Sequence, residues 1–159
     1  MKLEVGKGMD EYLQQLGDLE FTADQYIGKA IYYGADIVAD RIKANIKAMP
    51  VDDTNHPEKR VTGIKSIQKA ALAASFGIAK TQNDNGYINV KAGFDGYNKL
   101  KSKKYPNGQP NAMIARTFEA GNSFTKKIPF VGPAVRATRA MAEAKMAEVI
   151  DAEITKVMK

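Results

Sequence analysis

The sequence predicts an α+β fold in which long N-terminal and C-terminal helices pack on a small antiparallel sheet, beside a flexible basic loop. Three observations support this fold class. Apolar residues recur every three or four positions over 22–49, and an alanine-rich segment covers 133–158. Between them, an Asn-Gly turn signal separates two stretches that favour strands, 75–82 and 87–94. At 159 residues, a single domain spanning 1–159 is expected.

The N-terminal third is expected to hold two helices. A short amphipathic helix is predicted over 9–16 and ends at Gly17. A longer helix is predicted over 22–49, because Thr22 and Gln25 form a capping-box pair at its start. The core-facing stripe of the longer helix is Ile27, Ile31, Ala35, Val38, Ile42, Ile46 and Met49.

Two glycines lie inside the longer helix, where each costs about 1 kcal/mol relative to alanine. Gly34 lies at the edge of the apolar stripe, so close packing would explain it. The sequence offers no such reason for Gly28.

The middle of the chain is expected to combine loops with short elements. Residues 51–62 are polar and predict a flexible loop that contains the single histidine, His56. One histidine and no cysteine give no basis for a metal site. A short helix is predicted over 63–74, before the strands. Polar and apolar residues alternate over 87–94, as in an antiparallel strand with one buried face.

Residues 95–110 are predicted to form the flexible basic loop, because glycine and proline turn signals accompany closely spaced lysines. Its candidate interface residues are Lys99, Lys101, Lys103, Lys104 and Tyr105. Lysines beside tyrosines can bind nucleic acid through phosphate contacts and stacking. A solvated charged loop is the alternative interpretation.

The C-terminal third is predicted to contain two helices joined by a loop. The first covers 111–121, with Asn111 as its N-cap and Gly121 after its last turn; a strand is the alternative. The second covers 133–158, with Pro133 at its first position. Its apolar stripe is Val135, Ala142, Met146, Val149, Ile150 and Val157, interrupted by Thr138, Arg139 and Glu153. The interruptions indicate that part of this helix faces another subunit.

Charge is distributed unevenly along the chain. The net charge of +6 comprises −4 over 1–55, +7 over 56–110 and +3 over 111–159. A basic middle and an acidic start favour docking to an acidic partner, or head-to-tail contact between copies. A mixed solvated surface is the alternative.

Catalytic motifs are not found, and we expect neither enzyme activity nor a cofactor. No serine lies in a nucleophile elbow, and no phosphate-binding loop is present. Asp52 and Asp53 are adjacent, but their polar loop offers no apolar wall to raise a pKa. Glu119 lies beside glycine and aromatic residues, where a helix-end charge or hydrogen-bond anchor is preferred to a catalytic acid. A signal peptide and a membrane-length apolar run are likewise absent, so cytoplasmic folding is expected.

A residue pattern in the C-terminal half resembles a known family. The pattern reads "IARTFEAGNSF" and then "IPFVGPAVRATR", and its expected structural positions are Ala115, Phe118, Glu119, Gly121, Pro129, Phe130 and Pro133. With the order of elements, it resembles the neck or tail-completion proteins of tailed bacteriophages, found also in prophages and phage-like elements. The chain departs from the family at Asn122–Ser123, where threonine often follows the glycine, and at Gly132–Pro133, where Arg-Pro or Arg-Lys is common.

The resemblance implies a structural virion protein, assembled in the host bacterial cytoplasm, that forms a ring at the neck. Its implied partners are copies of itself, the connector or head-completion protein, and the tail tube or tail terminator protein. It also implies non-specific contact with DNA in the channel, and no membrane. A tail terminator and a free basic nucleic-acid-binding protein are the alternative functions.

The loop 121–128 is the second candidate interface. Its candidate residues are Ser123, Phe124, Lys126 and Lys127. Pro129–Phe130 is expected to pin the returning chain by burying an aromatic ring, which contributes about 2–3 kcal/mol. A loop fixed at both ends suits docking into an adjacent subunit, and an ordinary surface loop is the alternative.

Overall fold

The fold is a mixed α+β arrangement dominated by two long helices. The computed structural model describes residues 7–54 and 59–159, so His56 lies outside the described residues. Within these ranges the elements are α1 (Lys7–Ala48), α2 (Ser66–Ser75), β1 (Phe76–Ile78), β2 (Gln82–Asp84), β3 (Tyr87–Asn89), β4 (Ala92–Phe94), α3 (Asn111–Ala120) and α4 (Val131–Val157). The predicted fold class is confirmed.

The first helix, α1, is continuous, whereas two helices were predicted. It runs through both Gly17 and Thr22, so neither residue marks a helix end. The Thr22 hydroxyl donates instead to the carbonyl of Asp18, one turn earlier, at 2.7 Å. A single glycine costs about 1 kcal/mol in a helix, which the many hydrogen bonds of a 42-residue helix offset.

The long helices α1 and α4 pack side by side and run antiparallel. Asn45 Nδ2, near the end of α1, donates to the carbonyl of Phe130 at the start of α4, at 2.9 Å. Further along, Lys29 forms an ion pair with Glu153. Because α4 ends one turn after Glu153, at Val157, the first part of α1 projects beyond it. At about 1.5 Å per residue, this projection is about 25 Å long.

Two glycines let neighbouring elements approach α1 closely. A Cβ on Gly34 would lie 2.8 Å from Cγ of Met146 in α4. A Cβ on Gly28 would lie 2.9 Å from Cγ2 of Thr81, beside the hairpin. Close packing at Gly34 is therefore confirmed, and Gly28 has a packing role that the sequence did not reveal.

The four strands form one hairpin in two halves. β1 pairs with β4 and β2 pairs with β3, both antiparallel. The turn between β2 and β3 has φ of 55° at Asn85 and 90° at Gly86, the positive values that a type I′ turn requires. The predicted strand 87–94 is thus divided into two short strands, whereas the predicted strand 75–82 holds β1 and only the first residue of β2, which continues to Asp84. The division lies where the hairpin leaves the core and passes alongside α1, near Gly28.

The core lies between the C-terminal half of α1, α2, α3 and the near half of the hairpin. Its larger buried members are Ile42, Ile46, Met49, Ile64, Leu72, Phe76, Ile114, Phe118 and Phe130. The stripe predicted on α1 is buried only in its second half, and Ile27 is exposed. In the first half, α1 instead turns Ala30 and Gly34 inward, because α4 covers a different side of the helix there.

Several helix ends differ from prediction by one to three residues. α2 begins at Ser66. Asn111 is the first residue of α3 and not its N-cap; its side chain donates to the carbonyl of Asp95 at 2.8 Å. α4 begins at Val131, so Pro133 is its third residue, which is tolerated because first-turn N–H groups lack helical partners.

The buried face of α4 also differs from the predicted stripe. Thr138 and Glu153 belong to this face and do not interrupt it. The Thr138 hydroxyl is satisfied by the carbonyl of Ala134 at 2.8 Å, and Glu153 is paired with Lys29. Val135, a predicted stripe member, is exposed.

Candidate interaction surfaces

Glu119 fixes the start of α4 to the end of α3. Its Oε2 accepts hydrogen bonds from the N–H groups of Phe130 and Val131, at 2.7 and 2.9 Å. Its Oε1 accepts from the N–H of Gly132 at 2.8 Å. These donors belong to the first turn of α4, where no carbonyl of the helix can reach them. Glu119 is therefore the hydrogen-bond anchor that the sequence favoured over a catalytic acid.

The electrostatics of Glu119 agree with this anchoring role. Burial raises the pKa of Glu119. The hydrogen bonds from the backbone N–H groups of Val131, Phe130 and Gly132, together with the charge of Lys127, lower this pKa by more than burial raises it. The net pKa lies below the ordinary value of a glutamate. The carboxylate is thus ionised at neutral pH and engaged by backbone donors.

The loop between α3 and α4 is held in place by a network of hydrogen bonds. Asn122 Oδ1 accepts from the N–H groups of Phe124 and Thr125, at 2.9 and 2.7 Å. Val61 adds a second attachment: its N–H donates to the carbonyl of Phe124, and its carbonyl accepts from the N–H of Lys126, both at 2.8 Å. The loop backbone therefore has a defined conformation on both sides of Phe124.

Phe124, inside this loop, and Phe130, just after it, have opposite environments. Phe124 is 79% exposed, and the neighbouring candidates Ser123, Lys126 and Lys127 are exposed too. Phe130 is 1% exposed and meets the ring of Phe94 edge-on, with centroids 5.9 Å apart. The expected burial of the Phe130 ring is confirmed. We call residues 121–128 the Phe124 loop.

The other positions of the residue pattern differ in how deeply they are buried. Ala115 and Phe118 are buried in the core. Gly121 follows the last residue of α3 with φ of 72°, as a helix-ending glycine does. Pro129 is exposed, so Phe130 is the buried member of the Pro129–Phe130 pair.

Residues 95–110, which we call the lysine loop, are irregular and closed at their base. Tyr97 and Pro110 form an antiparallel bridge, and the N–H of the buried Asn98 donates to the carbonyl of Gln109 at 2.9 Å. Gly108 has φ of 100°, and a Cβ there would overlap the carbonyl oxygen of Asn98. The two ends of the loop are thereby held together.

The predicted interface residues of the lysine loop divide into two groups. Lys99, Lys101, Lys103 and Lys104 are exposed. Tyr105 is half-buried and directs its hydroxyl to Sδ of Met113, at 3.2 Å. Tyr97, which flanks the lysines, is 66% exposed. The outer aromatic of this surface is therefore Tyr97.

The projecting end of α1, residues 9–24, presents an uncovered apolar stripe. Met9, Tyr12, Leu13 and Leu16 follow helical spacing, and all four are exposed. The sequence predicted an amphipathic helix here. It could not predict that the apolar side would lack a cover, because that depends on where α4 ends.

Two grooves lie on either side of α2. One, of about 580 Å³, lies between α2 and α3 and includes Lys65, Gln68 and Met113. The other, which we call the α2 groove, measures about 470 Å³ and lies between α2 and the start of the lysine loop. In residues 7–54 and 59–159, no group of three or more histidine or acidic side chains is placed to hold a metal ion. The helices in this part of the chain also include none long and apolar enough to cross a membrane.

Comparison of the chain with protein-family models gave no match. No curated protein and no solved structure matched it either. Function is therefore inferred from the surfaces described above and from the residue pattern over 114–134.

Proposed function

We propose that this protein is a structural component of a tailed-phage or prophage virion. It forms a ring at the neck, joins the head connector to the tail and completes the tail. The observation that supports this most directly is the Phe124 loop, where an exposed aromatic ring sits on a backbone fixed by hydrogen bonds. Aromatic anchors are frequent hot spots of protein interfaces, and a fixed backbone reduces the entropy lost on binding.

The protein acts by binding and needs neither catalysis nor a cofactor. Glu119, the acid with the most suggestive sequence context, uses both carboxylate oxygens to hold the start of α4. The Phe124 loop also lies within the residue pattern that resembles the neck proteins. The protein is accordingly assembled in the host cytoplasm and resides in the neck of the virion.

The lysine loop provides a second surface for acidic partner rims or for DNA in the channel. Four exposed lysines lie close together in sequence beside the exposed ring of Tyr97. The same observation favours a second candidate function, free non-specific binding of nucleic acid, which predicts a steep loss of affinity with salt.

The first experiment measures particle mass by light scattering after size exclusion, across concentration, with and without isolated connector or tail components. A ring, or a monomer that enters a complex only with these components, is expected. Binding to the tail tube alone would identify a tail terminator. A monomer that binds neither the connector nor the tail components but binds random duplex DNA would overturn the neck assignment in favour of the second candidate.

Replacing Lys101, Lys103 and Lys104 by glutamate tests the lysine loop. All three side chains are exposed, so the melting temperature is expected to stay within a few degrees while joining is blocked. Infectious-particle yield in a complementation assay measures joining. A control triple, with glutamate at the exposed Lys59, Lys80 and Lys159, changes the net charge equally and should join normally. Normal yield from the lysine-loop variant would refute the role of this loop.

A further inference from the structure

We propose that the projecting end of α1 in one copy binds the α2 groove of the next copy. The resulting head-to-tail contact repeats from subunit to subunit. This contact adds to the proposed function the two surfaces through which identical subunits join. Its closure into a ring rests on the proposed function.

The projecting end has the character of a helix that binds a groove. Leu13 is 57% exposed, and Met9, Tyr12 and Leu16 lie on the same side of the helix. An apolar stripe of this kind in water normally has a partner. Residues 9–24 also contain five acidic side chains and no basic one. The helix therefore offers an apolar stripe within a strongly negative surface.

The α2 groove has the complementary character. Its wall on α2 consists of Ile67, Ala70, Ala71 and Ala74, which follow helical spacing. Ile67 is 41% exposed, and the alanines leave room for another helix to approach closely. Asp95 and Lys99 line the opposite side, and the other three lysines follow on the same loop. An acidic helix with an apolar stripe complements the apolar wall on α2 and the net positive charge of the adjoining loop.

The groove has a defined shape because two buried side chains of its lining, Asn98 and Asn111, hold the start of the lysine loop. Asn98 Oδ1 accepts from the N–H groups of Leu100 and Gln109, at 2.9 and 3.2 Å. Asn111 Nδ2 donates to the carbonyl of Asp95 at 2.8 Å. A preformed groove reduces the entropy lost when a helix binds it.

The positions of the two surfaces exclude docking within one copy. Lys69 of α2 donates to the carbonyl of Met49 at 2.9 Å, so α2 lies at the C-terminal end of α1. At about 1.5 Å per residue, some 50 Å of continuous helix separates Leu16 from that end. The stripe of one copy therefore reaches only the groove of another. A contact between different surfaces of identical chains is heterologous, the type that generates rings.

The other groove, between α2 and α3, is a weaker match for the acidic helix. Each groove has one acid and one lysine in its lining, Asp52 with Lys65 in this groove and Asp95 with Lys99 in the α2 groove, so the lining charges do not distinguish the two. The lysine loop begins in the lining of the α2 groove and carries Asp95 and four lysines, a net charge of +3. The net positive charge of this adjoining loop selects the α2 groove for the acidic helix.

A mixing experiment with two complementary variants of the full chain tests this contact. Leu13→Asp with Leu16→Asp removes the stripe and keeps the groove. Ala70→Glu fills and recharges the groove and keeps the stripe. Each is expected to weaken self-association at least about 30-fold in sedimentation equilibrium, as loss of an interface hot spot does. Controls are Gln14→Asp, off the stripe, and Ala112→Glu, on the exposed side of α3; both should associate like the unmodified chain.

Mixing the two weakened variants distinguishes the proposed contact from any symmetric one. One intact stripe and one intact groove remain in the mixture, so a 1:1 heterodimer is expected that does not grow further. A symmetric contact through the stripe alone would give no heterodimer, and this result would overturn the proposal.

Failure of this contact and failure of the neck function give different results. Rings that form normally from both variants would overturn the contact and leave the neck function standing. Head-to-tail assemblies that never bind connector or tail components would support the contact and refute the neck function. An unmodified chain that stays monomeric at the highest attainable concentration would overturn the contact.

Discussion

Removing the Glu119 carboxylate tests how the Phe124 loop and α4 are held together. In Glu119→Ala, the N–H groups of Phe130, Val131 and Gly132 lose their acceptors at once. Loss of one capping side chain costs about 0.5–2 kcal/mol, and hydrogen bonds to a charged group contribute about 1.5–3 kcal/mol each. Because water can partly replace the carboxylate, we expect a loss of about 2–4 kcal/mol for alanine.

The isosteric variant separates the charge from the shape of the side chain. Glu119→Gln keeps one acceptor oxygen and should lose about half as much stability, about 1–2 kcal/mol. Urea denaturation followed by circular dichroism measures both losses. For a chain of this size they correspond to melting-temperature decreases of about 5–15 °C for alanine and about half of that for glutamine.

The pH dependence gives an independent check on the charge. The pKa of Glu119 is lower in the folded state than in the unfolded state, so the unfolded state binds more protons between the two values. The stabilisation is therefore complete above the unfolded pKa, about 4.3, and is lost as pH falls through the folded pKa. The difference in stability between the unmodified chain and Glu119→Gln should be constant near neutral pH and shrink below about pH 4.

A matched control is available on α4 itself. Glu143 pairs with Arg139 one turn away, and both side chains are exposed. Glu143→Gln is expected to change stability by less than about 0.5 kcal/mol. A loss for Glu119→Ala no larger than that of this control would refute the cap, and a pH-independent difference for Glu119→Gln would refute the role of its charge.

Two further predictions concern packing. Phe130→Ala removes a fully buried ring and should lower the free energy of unfolding by about 3–5 kcal/mol; an unchanged melting temperature would contradict the buried-ring account. Gly17→Ala should stabilise by up to about 1 kcal/mol, because a Cβ there meets no atom within 4 Å. Gly34→Ala should be less stable than Gly17→Ala by about 1–3 kcal/mol, because its Cβ meets Met146. Equal effects of the two alanines would show that α4 does not approach α1 as closely as described.

The sequence predicted those elements whose conformation depends on a few neighbouring residues. The Asn85–Gly86 turn and the start of α3 follow from conformational preferences of a few residues, and both lie within one residue of the prediction. The continuity of α1 was missed, because Gly17 and Thr22 resemble helix ends although each costs little in a long helix. Signals of about 1 kcal/mol cannot decide whether a helix continues.

The contacts and surfaces that the sequence did not predict depend on residues that are distant from one another in the chain. In the sequence, Glu153 interrupts an apolar stripe. In the structure it pairs with Lys29, which lies 124 residues earlier. The hydrogen-bond role of Glu119 was anticipated, but its donors were not. The α2 groove was not anticipated at all, because the hairpin brings the lysine loop next to α2.

The pairing of α1 with α4 also determines when the chain can fold during synthesis. α4 is translated after every other described element, and the ion pair of Lys29 with Glu153 closes a loop of 124 residues. The entropic cost of that closure grows only logarithmically with length, but ribosomes add about 5–20 residues per second. The inner side of α1 at Ala30 and Gly34 thus stays bare for several seconds on each nascent chain. Until α4 is made, this side of α1 is open to contact with other nascent chains and with chaperones.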